Sequence, residues 1–125
     1  MKTIARSAAK ESTDVLSKAT SRAARQLGLS GSALSRVVGV SEATVSRMSR
    51  GEWSVSPQTK EGQLAALLVR LFRSLDAIVG NDSAKASAWM SSYNHALNGI
   101  PRELIESPQG LVMTLQYVDS MRATS

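Results

Sequence analysis

The sequence contains no cysteine and a single histidine, His95. Without cysteine there is no disulfide scaffold, thiol nucleophile, zinc finger or iron–sulfur centre. One imidazole leaves the usual His-based metal sites and the Ser-His-Asp triad without material. Aromatic residues are scarce, 4% of the chain: Trp53, Phe72, Trp89, Tyr93 and Tyr117. A core this poor in rings is built from Leu, Val, Ile, Ala and Met, which suits packed helices better than a β-sandwich. The longest apolar stretch, Leu64–Val79, is interrupted by Arg70, Arg73 and Asp76, so no membrane span is expected. Residues 1–14 start basic but lack the apolar centre of an export signal, so a cytoplasmic location is expected. No Gly-rich phosphate loop or metal-ligand spacing is present. The expectation is a non-enzymatic protein with no cofactor and no metal.

What remains is a 125-residue chain with 42% hydrophobic residues. That is one compact domain, or two very small ones sharing a core. The charge is unevenly placed. Residues 1–60 carry ten Lys/Arg against four acids, net +6, and residues 61–125 carry five against six, net −1. A basic half joined to a near-neutral one points to a polyanion-binding part and a part with another task. The alternative is a solvated basic surface.

Helical periodicity dominates, and no segment alternates at period two, so the predicted fold is all-α. Residues 1–12 read as a flexible polar tail, with Lys2, Arg6 and Lys10 either an arm along a nucleic-acid backbone or an unbound end. Thr13 or Asp14 caps a first helix to about Leu27, ended by Gly28. Ser30-Gly31-Ser32 opens a second helix of about two turns, stopped by Gly39. Ser41 caps a third, Glu42–Arg50, which Gly51 ends. After a loop holding Pro57, residues Lys60–Val79 form one amphipathic helix. Its stripe of Leu64, Leu67, Leu68, Leu71, Leu75, Ile78 and Val79 is either core or a dimer seam. Asn81 or Asp82 caps a fifth helix with Ala84, Ala88, Trp89 and Met90 inside. An irregular loop, a short helix behind Pro101 and a last helix from Ser107-Pro108 follow, the last with Leu111, Val112, Leu115 and Val118 on its apolar positions.

Gly39-Val40-Ser41 between two short helices has the spacing of a helix-turn-helix. Gly39 supplies the positive φ of a sharp turn, Val40 fills the corner, and Val45 and Met48 pin the second helix. Glu42, Ala43, Thr44, Ser46, Arg47 and Arg50 then point outward, on a helix that fits the major groove. Gly39-Val40-Ser41, Val45-Ser46-Arg47 and Arg50-Gly51, within Thr13–Trp53, resemble the Xre-type helix-turn-helix of bacterial and phage repressors. The family often has Gln where Gly31 stands and usually Ala where Ser35 stands. Arg47 has the chemistry to grip guanine or a phosphate. Thr44 and Ser46 can meet base edges or phosphates, and Glu42 can accept from cytosine or act as a cap. Ser32, Arg36 and Arg50 are expected at phosphates, which position without specifying. The plainer reading is an αα-hairpin in which Gly39 is only a C-cap.

The C-terminal stretch reads first as a packed helical cap with two loops. Trp89-Met90, Asn94, Ala96-Leu97, Gly99, Pro101, Glu103-Leu104-Ile105 and Pro108-x-Gly110 resemble the toxin-binding domain of the Xre/MbcA/ParS antitoxins. His95 and Asn98 stand where the family pattern has Pro and Gly. The resemblance implies a type II antitoxin that neutralises a partner toxin, commonly of the NAD-consuming RES class, and represses their shared operon. It implies a last helix that approaches the toxin. The exposed candidates are His95, Asn98, Arg102, Glu103, Gln116, Asp119 and Arg122, with Trp89, Leu104, Leu115 and Val118 as core. A two-fold operator implies a homodimer. The organisation expected is a tail at 1–12, a DNA-binding domain at 13–58, a central helix at 59–80 and a toxin-binding domain at 81–125. On that division, truncation after about Gln116 leaves DNA binding intact. A stand-alone repressor and a helical adaptor that never touches DNA are the other readings.

Overall fold

A computed structural model describes the backbone of residues 2–124 and the side chains of residues 8–124. The expected roles of Lys2 and Arg6, and of the terminal Ser125, lie outside the described side chains. The described residues form seven helices: α1 (Lys2–Leu27), α2 (Gly31–Val38), α3 (Glu42–Ser49), α4 (Lys60–Val79), α5 (Ser83–Ser91), α6 (Pro101–Leu104) and α7 (Pro108–Thr124). Among the described residues there is no strand; one isolated antiparallel bridge joins Asn94 and Gly99. Among the described residues no helix is long and apolar enough to cross a membrane. The fold is all-α, as the periodicity requires.

Local chemistry sets most boundaries. The side chains of Ser30, Ser41, Thr59 and Asp82 accept hydrogen bonds from the first turns of α2, α3, α4 and α5. Gly39 sits at φ 84° and ends α2 in the left-handed conformation. The first helix departs from expectation: it begins at Lys2, well before Thr13. Residues 2–12 are rich in Ala, Lys and Arg and hold neither Gly nor Pro, so nothing stops the helix from propagating. Thr13 turns inward to the helix itself, donating from Oγ1 to the carbonyl of Ala9 at 2.9 Å, instead of capping.

The core is organised around α4, which packs on α1, α2, α5 and α7. Leu68, Leu71 and Leu75 are buried within the single chain. The middle of the stripe is therefore core and a dimer seam through Leu71 is corrected, while Leu64, Leu67 and Val79 are half-buried and Ile78 is exposed. The interior does not break at residues 58–59 or 80–81. Leu27, Val38 and Met48 belong to one cluster with Leu75, Met90, Ile105, Leu111, Leu115 and Val118. Removing the end of α7 strips Val118 from that cluster, so the expected tolerance of truncation after Gln116 does not follow. On α5 the inward residues are Ala86 and Met90, not Ala84 and Ala88. Trp89 and Leu104 are half-buried, not fully enclosed. Val112 faces outward.

Two glycines permit close approaches. A Cβ on Gly62 would overlap the Ser56 carbonyl, and one on Gly110 would overlap the Leu104 carbonyl. The first lets the loop after α3 lie across α4. The second lets α6 abut α7. That loop is also tied to α1, since Val55 N–H donates to Ser17 Oγ at 2.8 Å and Ser54 Oγ donates to Asp14 at 3.2 Å.

Candidate functional site

The two short helices α2 and α3 form the expected hairpin. Ser35, standing where Ala is usual, is buried, and its hydroxyl donates to the Ser32 carbonyl at 2.7 Å. The extra polar atom is thereby satisfied. Val45 and Met48 are buried and hold α3 against the body. Glu42, Ala43, Ser46, Arg47 and Arg50 are exposed, while Thr44 is half-buried. Thr44 Oγ1 pairs with Ser41 Oγ at 2.9 Å and accepts from Arg47 Nη2 at 3.1 Å. The Arg47 guanidinium is thus aimed along the outer face of α3. Arg50 donates to Ser46 Oγ and reaches Glu52 with two hydrogen bonds of 3.2 Å. The bonds and charge of Arg50 hold the Glu52 carboxyl below its usual range.

Beside α3 lies a hollow of about 360 Å³ between the end of α1, the start of α2 and α3. Gly31, Ser32, Glu42 and Ser46 line it, as do Ser21, Arg25 and Ser49, which sequence reasoning did not single out. Arg25 sits in the last turn of α1, and nothing local in the sequence brings it to α3. The first residues of α2, Gly31 and Ser32, line this hollow, and a helix N-terminus is electrostatically suited to an anion.

The C-terminal elements carry a second set of exposed side chains. His95, Asn98, Arg102, Glu103, Gln116 and Arg122 are all exposed. Asn98 takes φ 56° and accepts from Tyr93 OH at 2.6 Å. His95 packs edge-on against Tyr93, with ring centroids 5.1 Å apart. Asn94 Oδ1 accepts from Leu97 N–H at 3.0 Å and closes the loop. Val112 and Met113, exposed on α7, add apolar area that the helical pattern assigned to the interior or left out. Asp119 does not join this set. It accepts from Ser74 Oγ at 2.6 Å and lies 3.8 Å from Arg70, so its carboxylate faces α4. Among the described residues no three acidic or imidazole groups are placed to hold a metal ion.

Residues 3–70 match the antitoxin Xre-like helix-turn-helix domain, and residues 74–123 match the antitoxin Xre/MbcA/ParS C-terminal toxin-binding domain. The chain belongs to the Xre/MbcA/ParS-type antitoxins. No curated protein matches it. The antitoxin therefore joins a DNA-binding helix-turn-helix to a toxin-binding domain, and the two sets of exposed side chains just described lie one on each.

The antitoxin also connects its halves electrostatically. Arg36 of α2, expected at a DNA phosphate, donates to Glu106 through Nε at 2.6 Å and Nη2 at 3.3 Å, and to Ser32 Oγ at 2.6 Å. Its guanidinium is engaged by the toxin-binding half, 70 residues away in sequence. Arg102 and Glu103 line the same groove, about 520 Å³, with Gly28, Leu29 and Ala33. Sequence reasoning assigned Arg36 to one function and Arg102 and Glu103 to another. The fold places all three around one hollow.

Proposed function

We propose that the antitoxin represses the operon it shares with its toxin, binding an inverted-repeat operator as a homodimer in the cytoplasm. Its α3 enters the major groove, with Arg47, Ser46 and Glu42 at base edges, Ala43 in apolar contact, and Thr44 orienting Arg47. Ser32, Arg50 and the start of α2 face phosphates. Arg36 reaches one only by leaving Glu106. The observation that carries this reading is the outer face of α3, where the exposed Arg47 donates to Thr44 of the same helix. Gel-shift titration against the antitoxin's own promoter tests it. Affinity should fall by orders of magnitude from low to moderate salt, because cations released from several phosphates drive binding. Salt-insensitive binding, or none to that promoter, refutes it.

We propose further that the toxin is of the RES class, consuming NAD. His95, Asn98, Arg102, Glu103, Gln116 and Arg122 contact it, together with Val112 and Met113. Asp119 contributes by fixing α7 on α4. The antitoxin acts by binding, without catalysis of its own. The exposed polar set around the α6 and α7 segment supports this reading, with the family match to residues 74–123. Co-expression with the neighbouring toxin gene, with cellular NAD as readout, tests it. NAD loss that the antitoxin does not prevent, or toxicity without NAD loss, overturns the assignment.

A further inference from the structure

The outer face of α1 is unusual for a helix that ends in a packed core. Ala8, Glu11, Ser12, Val15, Lys18 and Arg22 are exposed at spacings of three and four, so they share one stripe. Val15, 64% exposed, is the most exposed large hydrophobic side chain among the described residues. It lies at the midpoint of a helix that runs from Lys2 to Leu27. Beside it, α1 and α4 enclose a shallow trough of about 320 Å³, floored by Val15, Leu16, Ala19, Ala66 and Val69. One turn further on is a hollow of about 220 Å³ whose apolar floor is Ala19, Val69 and Phe72 and whose rim is Lys18, Arg22 and Arg73. No acidic side chain lines that hollow. Lys18, Arg22 and Arg73 make no ion pair among the described residues.

We propose that a second copy of the antitoxin covers this face: two α1 helices pack antiparallel with Val15 on the two-fold axis. Each copy then seats its Glu11 among Lys18, Arg22 and Arg73 of the other. The geometry follows from symmetry. An antiparallel pair centred on residue 15 sets each residue opposite the one equally far on the other side. Glu11 therefore meets Ala19, the floor residue of the three-cation hollow, and the contact occurs twice. Ser12 and Ala8 are small and let the helices approach to about 8–10 Å. Centring on Val15 overlaps all but one residue of α1, about 37 Å at 1.5 Å per residue. A displaced pairing shortens the overlap, and a parallel one sets Lys18 and Arg22 against their own copies, which costs affinity. The proposal rests on the homodimer reading above and adds its seam.

The chain has no cysteine, so Val15→Cys places a single thiol on the axis. Under mild oxidation the purified full chain should convert to a disulfide-linked dimer, since a residue on a two-fold axis faces its own copy within disulfide reach. Val112→Cys, on exposed α7, should stay unlinked. Glu11→Lys should weaken dimerisation by about tenfold or more, and adding Lys18→Glu and Arg22→Glu should restore most of it. All three positions are exposed, and circular dichroism confirms that the variants remain folded. If the wild type is dimeric but Val15→Cys does not link and Glu11→Lys changes nothing, the seam is wrong while the homodimer stands. If the wild type is monomeric by light scattering at roughly 100 μM, seam and homodimer both fall.

Discussion

Replacing Leu111 by Ala separates a one-core antitoxin from a two-domain one. Leu111 lies on α7, in the toxin-binding half, and is fully buried. Its cluster also contains Leu27, Leu34 and Val38 of the DNA-binding half. Truncating a buried Leu to Ala costs about 2–5 kcal/mol, the lost transfer energy plus the cavity left behind. A domain of this size has about 5–15 kcal/mol in total. At about 3–5 °C per kcal/mol, the melting temperature should drop by roughly 10 °C. The two tryptophans report on the two halves. Trp53 follows α3, and Trp89 stacks on Tyr117 of α7 with centroids 6.5 Å apart. Trp89→Phe leaves Trp53 as the fluorophore, and Trp53→Phe leaves Trp89. With one core, both single-Trp chains melt together, and Leu111→Ala lowers both equally. If the Trp53 transition stays in place while the Trp89 transition falls, the halves unfold independently and the continuous core has no energetic meaning.

Gly110→Ala should destabilise by about 3 kcal/mol or more in a denaturant titration, because the new methyl collides with the Leu104 backbone and not with a flexible side chain. Thr114→Val should stabilise by about 1 kcal/mol, since Thr114 Oγ1 is buried without a hydrogen-bond partner; unchanged or lower stability counts against that. Arg47→Ala should cost about 1–3 kcal/mol in operator binding and relax preference at one base pair, read by competition against randomised sites. Replacing Arg102 and Glu103 together by Ala should release toxicity on co-expression while leaving DNA affinity within a few-fold. A matching loss of DNA binding places the groove they line on the DNA side instead.

Much of the antitoxin was legible one residue at a time. Ser41, Gly39 and Asp82 mark helix ends because caps and left-handed turns are local chemistry, complete within four residues. The helix over Lys60–Val79 was readable from its apolar period. The hairpin of α2 and α3 and the outward set on α3, apart from half-buried Thr44, followed from the same two signals.

What the tertiary structure decided depends on partners distant in sequence. Arg36 carries the same side chain whether it meets a phosphate or Glu106, and only the fold brings Glu106 to it. Asp119 lies on an outward-seeming position of α7, yet Ser74 and Arg70 of α4 claim its carboxylate. Arg25 reaches the hollow beside α3 because of how α1 crosses it. Charge and turn chemistry divided the chain near residue 60, but burial did not respect that division. Small domains bury a smaller share of their surface, and here one cluster spans both halves, with α4 packed on α1, α2, α5 and α7. Periodicity tells a helix which of its faces is apolar; only packing says which neighbour covers it, and for Val15 the single chain supplies none.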